Sequence, residues 1–175
     1  MNGHRKTPVN NAIRKVFRRL ADRAFDQTQL SDGDLHAYLS DLLADFAHVD
    51  QLYPLHDESG RRVKHLIDMQ ELPAGSSHRH RKARCRYIGD YSLFILGMFP
   101  ESLSYGRCPI PHSYYSDTGR HSYRVASELE KEREQTIVLR KLEDKFEHCV
   151  ASLNWVREYT RDPFYQYMLR QFRVT

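Results

Sequence analysis

The chain has 175 residues, of which 40% are hydrophobic and 29% are charged, and its formal net charge at pH 7 is +4. This balance is typical of folded globular proteins and excludes disordered, collagen-like and low-complexity chains. The length matches one ordinary domain, so the sequence predicts a single domain over residues 1–175.

The first two segments both show the apolar spacing of amphipathic helices. Pro8 suits the first turn of the first helix, which carries arginines and a lysine opposite its apolar stripe. That stripe consists of Val9, Ile13, Val16, Phe17, Leu20 and Ala24. Ser31 is predicted to cap the second helix, and Pro54 to end it. Its apolar stripe consists of Leu35, Tyr38, Leu39, Leu42, Leu43, Phe46 and Val49.

The next two predicted helices differ in length and character. A short third helix is expected over residues 60–71, before a break rich in proline, glycine and serine. The fourth covers about residues 78–98, with a basic first half and a second half that is apolar on all sides. Because a helix that is apolar all round is normally buried, we place the segment around residues 84–98 at the centre of the fold.

Three further helices are predicted in the C-terminal half. The fifth covers residues 114–133, after a loop over residues 104–111, and the sixth covers residues 136–159. A last helix over residues 163–172 follows Asp162 as its N-cap. No segment has the spacing of a strand, so the sequence predicts an all-α, single-domain bundle of six or seven helices with antiparallel neighbours.

Cysteine usage and the length of the apolar runs indicate the compartment. The three cysteines, Cys85, Cys108 and Cys149, are far apart and indicate neither a disulfide framework nor a zinc site. The longest apolar run, residues 93–99, is far shorter than the ~20 residues that a membrane span needs. The sequence therefore predicts a cytoplasmic protein without a membrane span, and it indicates no cofactor.

Charge is distributed in blocks along the chain. Residues 1–30 and 61–92 are basic, whereas residues 31–60 contain acidic side chains and no lysine or arginine. If consecutive helices pack antiparallel, these opposite charges meet along the helix edges, and we favour this structural explanation. The alternative is a functional basic surface that attracts an anionic partner.

The densest basic cluster covers residues 78–86, at the start of the fourth helix. Its anion-binding candidates are Arg79, Arg81 and Lys82. Such side chains can contact the phosphates of a nucleic acid or another anion. The favoured alternative is a solvated helix end whose arginines pair with nearby carboxylates, for example Arg86 with Asp90 one turn further on.

Polar residues also enter the buried part of the fourth helix. The ligand-binding candidates there are Arg84, Arg86, Tyr87, Asp90 and Tyr91. The carboxylate of Asp90 must be paired, because an isolated buried charge is costly. Gly89 and Gly97 indicate close approach of another helix or of a ligand. We favour tight helix packing with Asp90 bound to a buried arginine or tyrosine, and a ligand pocket is the alternative.

A third cluster begins the fifth helix, where tyrosine, arginine and histidine are dense. The ligand-binding candidates there are Tyr115, Arg120 and His121. The alternative is an amphipathic helix that holds tyrosine rings with their hydroxyl groups at its edge. If the fourth and fifth helices are antiparallel neighbours, this cluster faces Asp90, and the two clusters together predict a polar pocket.

Metal binding and cysteine catalysis have little support in the sequence. Asp45 and His48, like Asp144 and His148, fall on the faces opposite the apolar stripes, so we predict no metal site. Cys85 lies among arginines, which would lower the pKa of its thiol, but no base or second thiol is adjacent to it.

The sequence alone does not define a function, and three hypotheses follow from it. The leading one is a non-catalytic binding protein with an Arg/Tyr/Asp pocket for an anionic small molecule or a protein partner. The second is an enzyme that uses Asp90, Tyr115 and His121 in acid–base chemistry, and a concave pocket holding Asp90 with a raised pKa would favour it. The third, less favoured, is a nucleic-acid-associated protein that uses the first helix and residues 79–86.

Overall fold

The computed structural model describes residues 8–46, 55, 59–60, 65–71, 77–104 and 109–161, with side chains from residue 15 onward. In chain order its elements are α1 (Pro8–Thr28), α2 (Gly33–Phe46), α3 (Leu66–Glu71), α4 (His78–Met98), a 3₁₀ helix (Pro100–Ser104), α5 (His112–Leu129), α6 (Arg133–Asp144) and α7 (Phe146–Arg161). No strand occurs in these ranges, and the prediction of an all-α helical bundle is confirmed.

Helix α4 occupies the centre of the bundle, as its apolar second half predicts. It packs most extensively on α5, and it also packs on α7. Its buried residues are Ile88, Gly89, Tyr91, Ser92, Leu93, Phe94, Ile95, Leu96 and Gly97. Burying one leucine or phenylalanine side chain contributes about 1.5–3 kcal/mol, so the second half of α4 anchors this helix in the fold.

Glycines allow α4 to approach its neighbours closely. A Cβ atom at Gly89 would lie 2.8 Å from the ring of Tyr123, and one at Gly97 would overlap with a side chain of α7. On α5, a Cβ atom at Gly119 would lie 3.0 Å from the Cβ atom of Ser92. Position 89 therefore faces 123 while 92 faces 119, which makes α4 and α5 antiparallel. The close approach expected at the two glycines of α4 is that of another helix.

Helix α1 forms the opposite side of the bundle, where it packs on α2 and α7. The hydroxyl groups of Thr28 in α1 and Ser152 in α7 share a hydrogen bond of 2.8 Å. The apolar stripes predicted for the first two helices supply the core here. Their buried members are Leu20, Ala24, Leu35, Leu39, Leu42, Leu43 and Phe46.

The start of α2 is capped by Asp32 and not by Ser31, so the predicted cap is wrong by one residue. Oδ1 of Asp32 accepts hydrogen bonds from the backbone N–H groups of Asp34 at 3.2 Å and of Leu35 at 3.4 Å. Ser31 is exposed. A carboxylate is favoured at this position because it satisfies the free N–H groups and also faces the positive end of the helix dipole.

Ion pairs connect the start of α2 to α6. Nζ of Lys141 lies 3.1 Å from Oδ1 of Asp32 and 2.7 Å from Oδ2 of Asp34. Nζ of Lys145 lies 3.4 Å from Oδ2 of Asp32. Burial alone would raise the pKa of Asp32, but hydrogen bonds from the two lysines and from the backbone outweigh burial and lower it. Asp32 and Asp34 belong to the acidic block of residues 31–60. They therefore pair with the C-terminal half of the chain and not with the basic blocks of residues 1–30 and 61–92.

Several helix boundaries differ from those predicted: α5 begins at His112 and α6 at Arg133, two and three residues early, and two other differences have a local cause. Gly60 has a φ angle of 75°, a left-handed conformation that does not begin a helix, and the described part of the third helix begins at Leu66. Helix α5 ends before Glu130, earlier than expected. The carboxylate of Glu130 accepts the backbone N–H groups of Lys131 and Glu132, so it stabilises a turn at the point where the helix was expected to continue.

The sixth predicted helix is interrupted at Lys145, which separates α6 from α7. The N–H group of Lys145 still donates to the carbonyl of Lys141 at 2.9 Å, and its own carbonyl accepts from the N–H group of Cys149 at 3.0 Å. The hydrogen-bonded chain thus continues across a single non-helical residue. The last predicted helix, residues 163–172, lies outside the described residues.

Candidate functional site

A cavity of about 320 Å³ lies between α2, α4 and α6. It is lined by Asp34, Ala37, Tyr38, Asp41, Leu42, Asp45 and Phe46 of α2, Arg86 and Asp90 of α4, and Gln135 and Val138 of α6. Its volume is in the range that accommodates a small ligand. Because it combines titratable groups with apolar surface, this cavity is the candidate site.

The polar residues of α2 reach the cavity because they share one face of that helix. Asp34, Tyr38, Asp41 and Asp45 follow one another at intervals of three or four residues. Side chains at this spacing lie above one another along a helix. The core-facing side chains of the same helix are Leu35, Leu39 and Leu43. The amphipathic pattern that buries α2 therefore also directs its acidic face into the cavity.

Asp90 connects three helices at the inner wall of the cavity. Its Oδ1 atom accepts hydrogen bonds from the hydroxyl groups of Tyr38 on α2 at 2.6 Å and Tyr123 on α5 at 2.8 Å. Nε of Arg86 donates to the hydroxyl oxygen of Tyr38 at 3.0 Å and lies 3.9 Å from Oδ2 of Asp90. Asp90 is thus paired, as its position in the buried half of α4 requires.

Burial has the largest effect on the protonation of Asp90. It raises the pKa of Asp90 to about 6, although Arg86 and the two tyrosine hydroxyl groups favour the ionised form. Burial and the neighbouring charge of Asp90 hold the pKa values of Tyr38 and Tyr123 well above their ordinary value. Burial would lower the pKa of Arg86, but Tyr38 and Asp90 raise it. Asp90 therefore exchanges its proton near neutral pH, while its three partners keep theirs.

The described wall of the cavity is predominantly acidic. Its carboxylates belong to Asp34, Asp41, Asp45 and Asp90, and its cationic group belongs to Arg86. Arg86 donates to the neutral hydroxyl group of Tyr38 and lies beside the carboxylate of Asp90, while Asp34 is paired with Lys141. A cleft lined mainly by one sign of charge concentrates the field and attracts the opposite charge. The described wall of the cavity thus carries more acidic than basic side chains.

The structure brings two of the predicted ligand-binding residues of α4, Arg86 and Asp90, into the cavity. Tyr87 and Tyr91 instead form an aromatic row beside it, with ring centroids 6.0 Å apart, and Tyr87 lies 6.2 Å from the lining residue Phe46. Tyr91 is buried in the core. Arg84, which is half-buried, is not among the lining residues that the structure describes.

The pocket expected between the fourth and fifth helices is not where the structure places a cavity. Tyr115 is buried in the core, whereas Arg120 and His121 are exposed on α5. The residue of α5 that faces Asp90 is Tyr123. The two helices are antiparallel neighbours as expected, but small residues bring them so close that side-chain packing fills the space between them.

The basic cluster at the start of α4 is divided between solvent and internal partners. Arg79 and Arg81 are exposed. Nζ of Lys82 lies 2.9 Å from both carboxylate oxygens of Glu130, which lowers the pKa of that carboxyl group. Because internal carboxylates match part of the positive charge, fewer cations remain to displace counterions from a nucleic acid.

Tyr38, Asp41, Asp45 and Tyr123 complete the site, although sequence reasoning gave none of them a role in binding. A signal for the aspartates was present, since they recur on the face of the second helix opposite its leucines. Nothing in the sequence marked the tyrosines as site residues, and Tyr38 also fits the apolar stripe of the second helix. Only the packing of α2 against α4 shows that the hydroxyl group of Tyr38 reaches Asp90.

Neither described cysteine has the properties of a nucleophile. Burial raises the pKa of Cys85 and outweighs the arginines at 84 and 81, so the lowered pKa expected from the sequence is wrong. Burial raises the pKa of Cys149 to about 12. A nucleophilic cysteine requires a stabilised thiolate, and both sites disfavour it.

Three further findings concern metals, membranes and relatives. Within the described ranges, no three His, Cys, Asp or Glu side chains are grouped as a metal ion would require. None of the helices in the described part of the chain combines the length and apolar character needed to cross a bilayer. No protein-family model, curated protein or solved structure matches the chain.

Proposed function

We propose that this chain is a binding protein whose cavity between α2, α4 and α6 receives a positively charged group, an ammonium or a guanidinium, of a small molecule or a protein side chain. The observation that carries the proposal is the composition of the described cavity wall, in which carboxylates outnumber cationic groups. In a partly enclosed site, water screens such charges less than on an open surface, so their attraction for a cation is stronger.

The sign of the ligand charge is the reverse of the one expected from the sequence. That expectation depended on arginines such as Arg86, whose guanidinium group lies beside Tyr38 and Asp90 in the folded protein. An anion entering the cavity would also face Asp41 and Asp45. Like charges repel, so an anionic ligand is disfavoured at this site.

The remaining wall suits the uncharged part of a ligand. Its apolar side chains are Ala37, Leu42, Phe46 and Val138. Ligand sites typically combine apolar surface, which contributes affinity, with a few polar groups that fix orientation. We therefore expect an amphipathic cation, with its charged head at the aspartates and an aliphatic or aromatic body against α2 and α6.

Titration with butylguanidinium tests the proposal. Isothermal calorimetry should detect binding, and amide NMR shifts should concentrate on the lining residues of α2, α4 and α6. Butyrate has a chain of similar length and the opposite charge, and it should not bind. Asp45→Asn should weaken the affinity several-fold, since it removes a wall charge. Asp117→Asn, on the exposed face of α5, is the matched control and should bind like the wild type.

Either of two results would show that the cavity is assigned wrongly. One is butyrate binding as tightly as butylguanidinium. The other is an equal loss of affinity in Asp45→Asn and Asp117→Asn, because the second residue is not among the described lining residues.

An acid–base enzyme is the second candidate function, and the pKa of about 6 at Asp90 in a cavity favours it. A general acid or base works best when its pKa is close to the working pH. Of the catalytic set proposed from the sequence, Asp90 lines the cavity, while Tyr115 is buried elsewhere and His121 is exposed.

Mass spectrometry of a ligand recovered after incubation distinguishes the two functions. A chemical change that requires Asp90 indicates an enzyme, and an unchanged ligand indicates a binding protein.

A further inference from the structure

We propose that the cation bound in this cavity replaces a proton on Asp90, so that pH controls whether the site is occupied. This inference rests on the proposed function, because it concerns the ligand of the same cavity. It gives Asp90 a role distinct from that of the other wall carboxylates. Asp90 changes its charge when the ligand enters.

Asp90 is less exposed than Asp34 and Asp41, two other carboxylates of the wall. Its side chain is 15% exposed, compared with 59% for Asp34, and Asp41 is also exposed. A buried carboxylate loses hydration and therefore favours its neutral form unless partners compensate. This compensation is incomplete at Asp90. Nε of Arg86 lies 3.9 Å from Oδ2 of Asp90, which is too far for a hydrogen bond. A cation in the cavity would supply the missing compensation.

Ionisable groups of three helices are described around Asp90. The ionisable ones are Tyr38 and Asp45 of α2, Arg86 of α4 and Tyr123 of α5. Helix α6 contributes the uncharged Gln135 and Val138 to the cavity wall. The two tyrosines and Arg86 have raised pKa values and stay protonated in the neutral range. The charge of Asp45 adds repulsion that favours protonated Asp90.

The exchange is balanced and involves no covalent change to the ligand. The neutral carboxyl group of Asp90 gives one proton to solvent, and the carboxylate that remains forms an ion pair with the incoming cation. In acid the reverse occurs: Asp90 is neutral, the guanidinium of Arg86 is no longer opposed by it, and the incoming cation is bound more weakly. Burial raises the pKa of Asp90 to about 6, which places this exchange close to neutral pH.

Calorimetric titration with butylguanidinium at about pH 5 and about pH 7.5 measures this coupling. The affinity should be about tenfold higher at the higher pH, because a group with a pKa near 6 is then ionised before the cation arrives. Repeating the titration at about pH 5 in two buffers of different ionisation enthalpy should reveal the released proton, and the same comparison at about pH 7.5 should show almost none. Asp90→Asn should remove the pH dependence, and Asp117→Asn should retain it.

A second measurement uses the wild type, so it does not depend on whether Asp90→Asn folds. The ¹³C signal of the Asp90 carboxyl group reports its titration directly, and butylguanidinium should move the midpoint to lower pH. If butylguanidinium binds with the same affinity at both pH values, the coupling is refuted and the proposed function stands. If it binds at neither pH, both are refuted. If Asp90→Asn keeps the tenfold pH dependence, the proton belongs to another group.

Discussion

The hydroxyl group of Tyr38 on α2 donates a hydrogen bond of 2.6 Å to Oδ1 of Asp90 on α4, across 52 positions of sequence. The same oxygen accepts the hydroxyl group of Tyr123 from α5. Helix α2 packs mainly on α1 and only lightly on α4. This carboxylate oxygen therefore provides a polar connection between α2 and the centre of the bundle, at the wall of the cavity.

Replacing Tyr38 with Phe should destabilise the protein by about 1–2 kcal/mol, because a buried charged acceptor then loses a donor. Urea unfolding at neutral pH measures the change. Tyr114→Phe is the matched control, since the hydroxyl group of Tyr114 donates to Gln70 at an exposed position. Its effect should stay below about 0.5 kcal/mol. Equal losses in the two variants would contradict the importance of the Tyr38–Asp90 bond.

The raised pKa of Asp90 predicts how stability depends on pH. Its pKa is 3.8 in the unfolded reference and about 6 in the folded protein, so the folded state binds the proton more tightly. This contribution is complete below about pH 4 and is lost as pH rises through about 6, and it amounts to roughly 2–3 kcal/mol. The difference in unfolding free energy between the wild type and Asp90→Asn should show this slope. A difference that does not change between pH 4 and 7 would exclude the raised pKa.

The close packing of α7 on Gly119 of α5 predicts a cost for any side chain at that position. A Cβ atom there would lie 2.6 Å from the ring of Phe146, so Gly119→Ala should destabilise by about 1–3 kcal/mol through overpacking. Gly33→Ala is the control, because a Cβ atom at Gly33 meets nothing within 4 Å. It should leave stability unchanged or raise it by up to about 1 kcal/mol. The midpoint temperature of thermal unfolding should therefore fall for Gly119→Ala and stay the same or rise for Gly33→Ala.

The cap of α2 can be tested by comparing two adjacent residues. Asp32→Ala removes the acceptor of two backbone N–H groups and the partner of Lys141, and it should cost about 1–2 kcal/mol. Ser31→Ala should change the unfolding free energy by less than about 0.5 kcal/mol, since Ser31 is exposed. A larger loss from the serine would restore the assignment made from the sequence.

Local patterns were sufficient to predict the helices, because burial of an apolar face leaves a regular mark in the sequence. The segment at 78–98 shows this best, since its two ends and its buried second half agree with the structure. Boundaries that depend on one side chain were harder to predict. Asp32 and Ser31 both suit an N-cap, and only the fold shows which carboxylate or hydroxyl group reaches the N–H groups.

The candidate site was predicted in part. Asp90 could be identified because a carboxylate inside an apolar helix requires partners. Its partners could not, since Tyr38 is distant in sequence and resembles a core residue of the second helix. The choice of α5 as the facing helix gave the correct neighbour, while the described cavity lies beside α2 and α6, and Gly119 brings α5 close to α4. The structure places Asp41 and Asp45 in the wall of the described cavity, whereas Arg120 is exposed on α5.

Lys141 fastens the α6 wall of the cavity to the start of α2 through Asp32 and Asp34. Helices α2 and α6 have little other contact with each other. Lys141 and Asp34 are partly exposed, and at about 1 M salt the screening length falls to about 3 Å, comparable to the distances within these ion pairs. The attraction that holds these two walls together therefore depends on the electrolyte as well as on packing, and concentrated salt should weaken it even when no proton is exchanged.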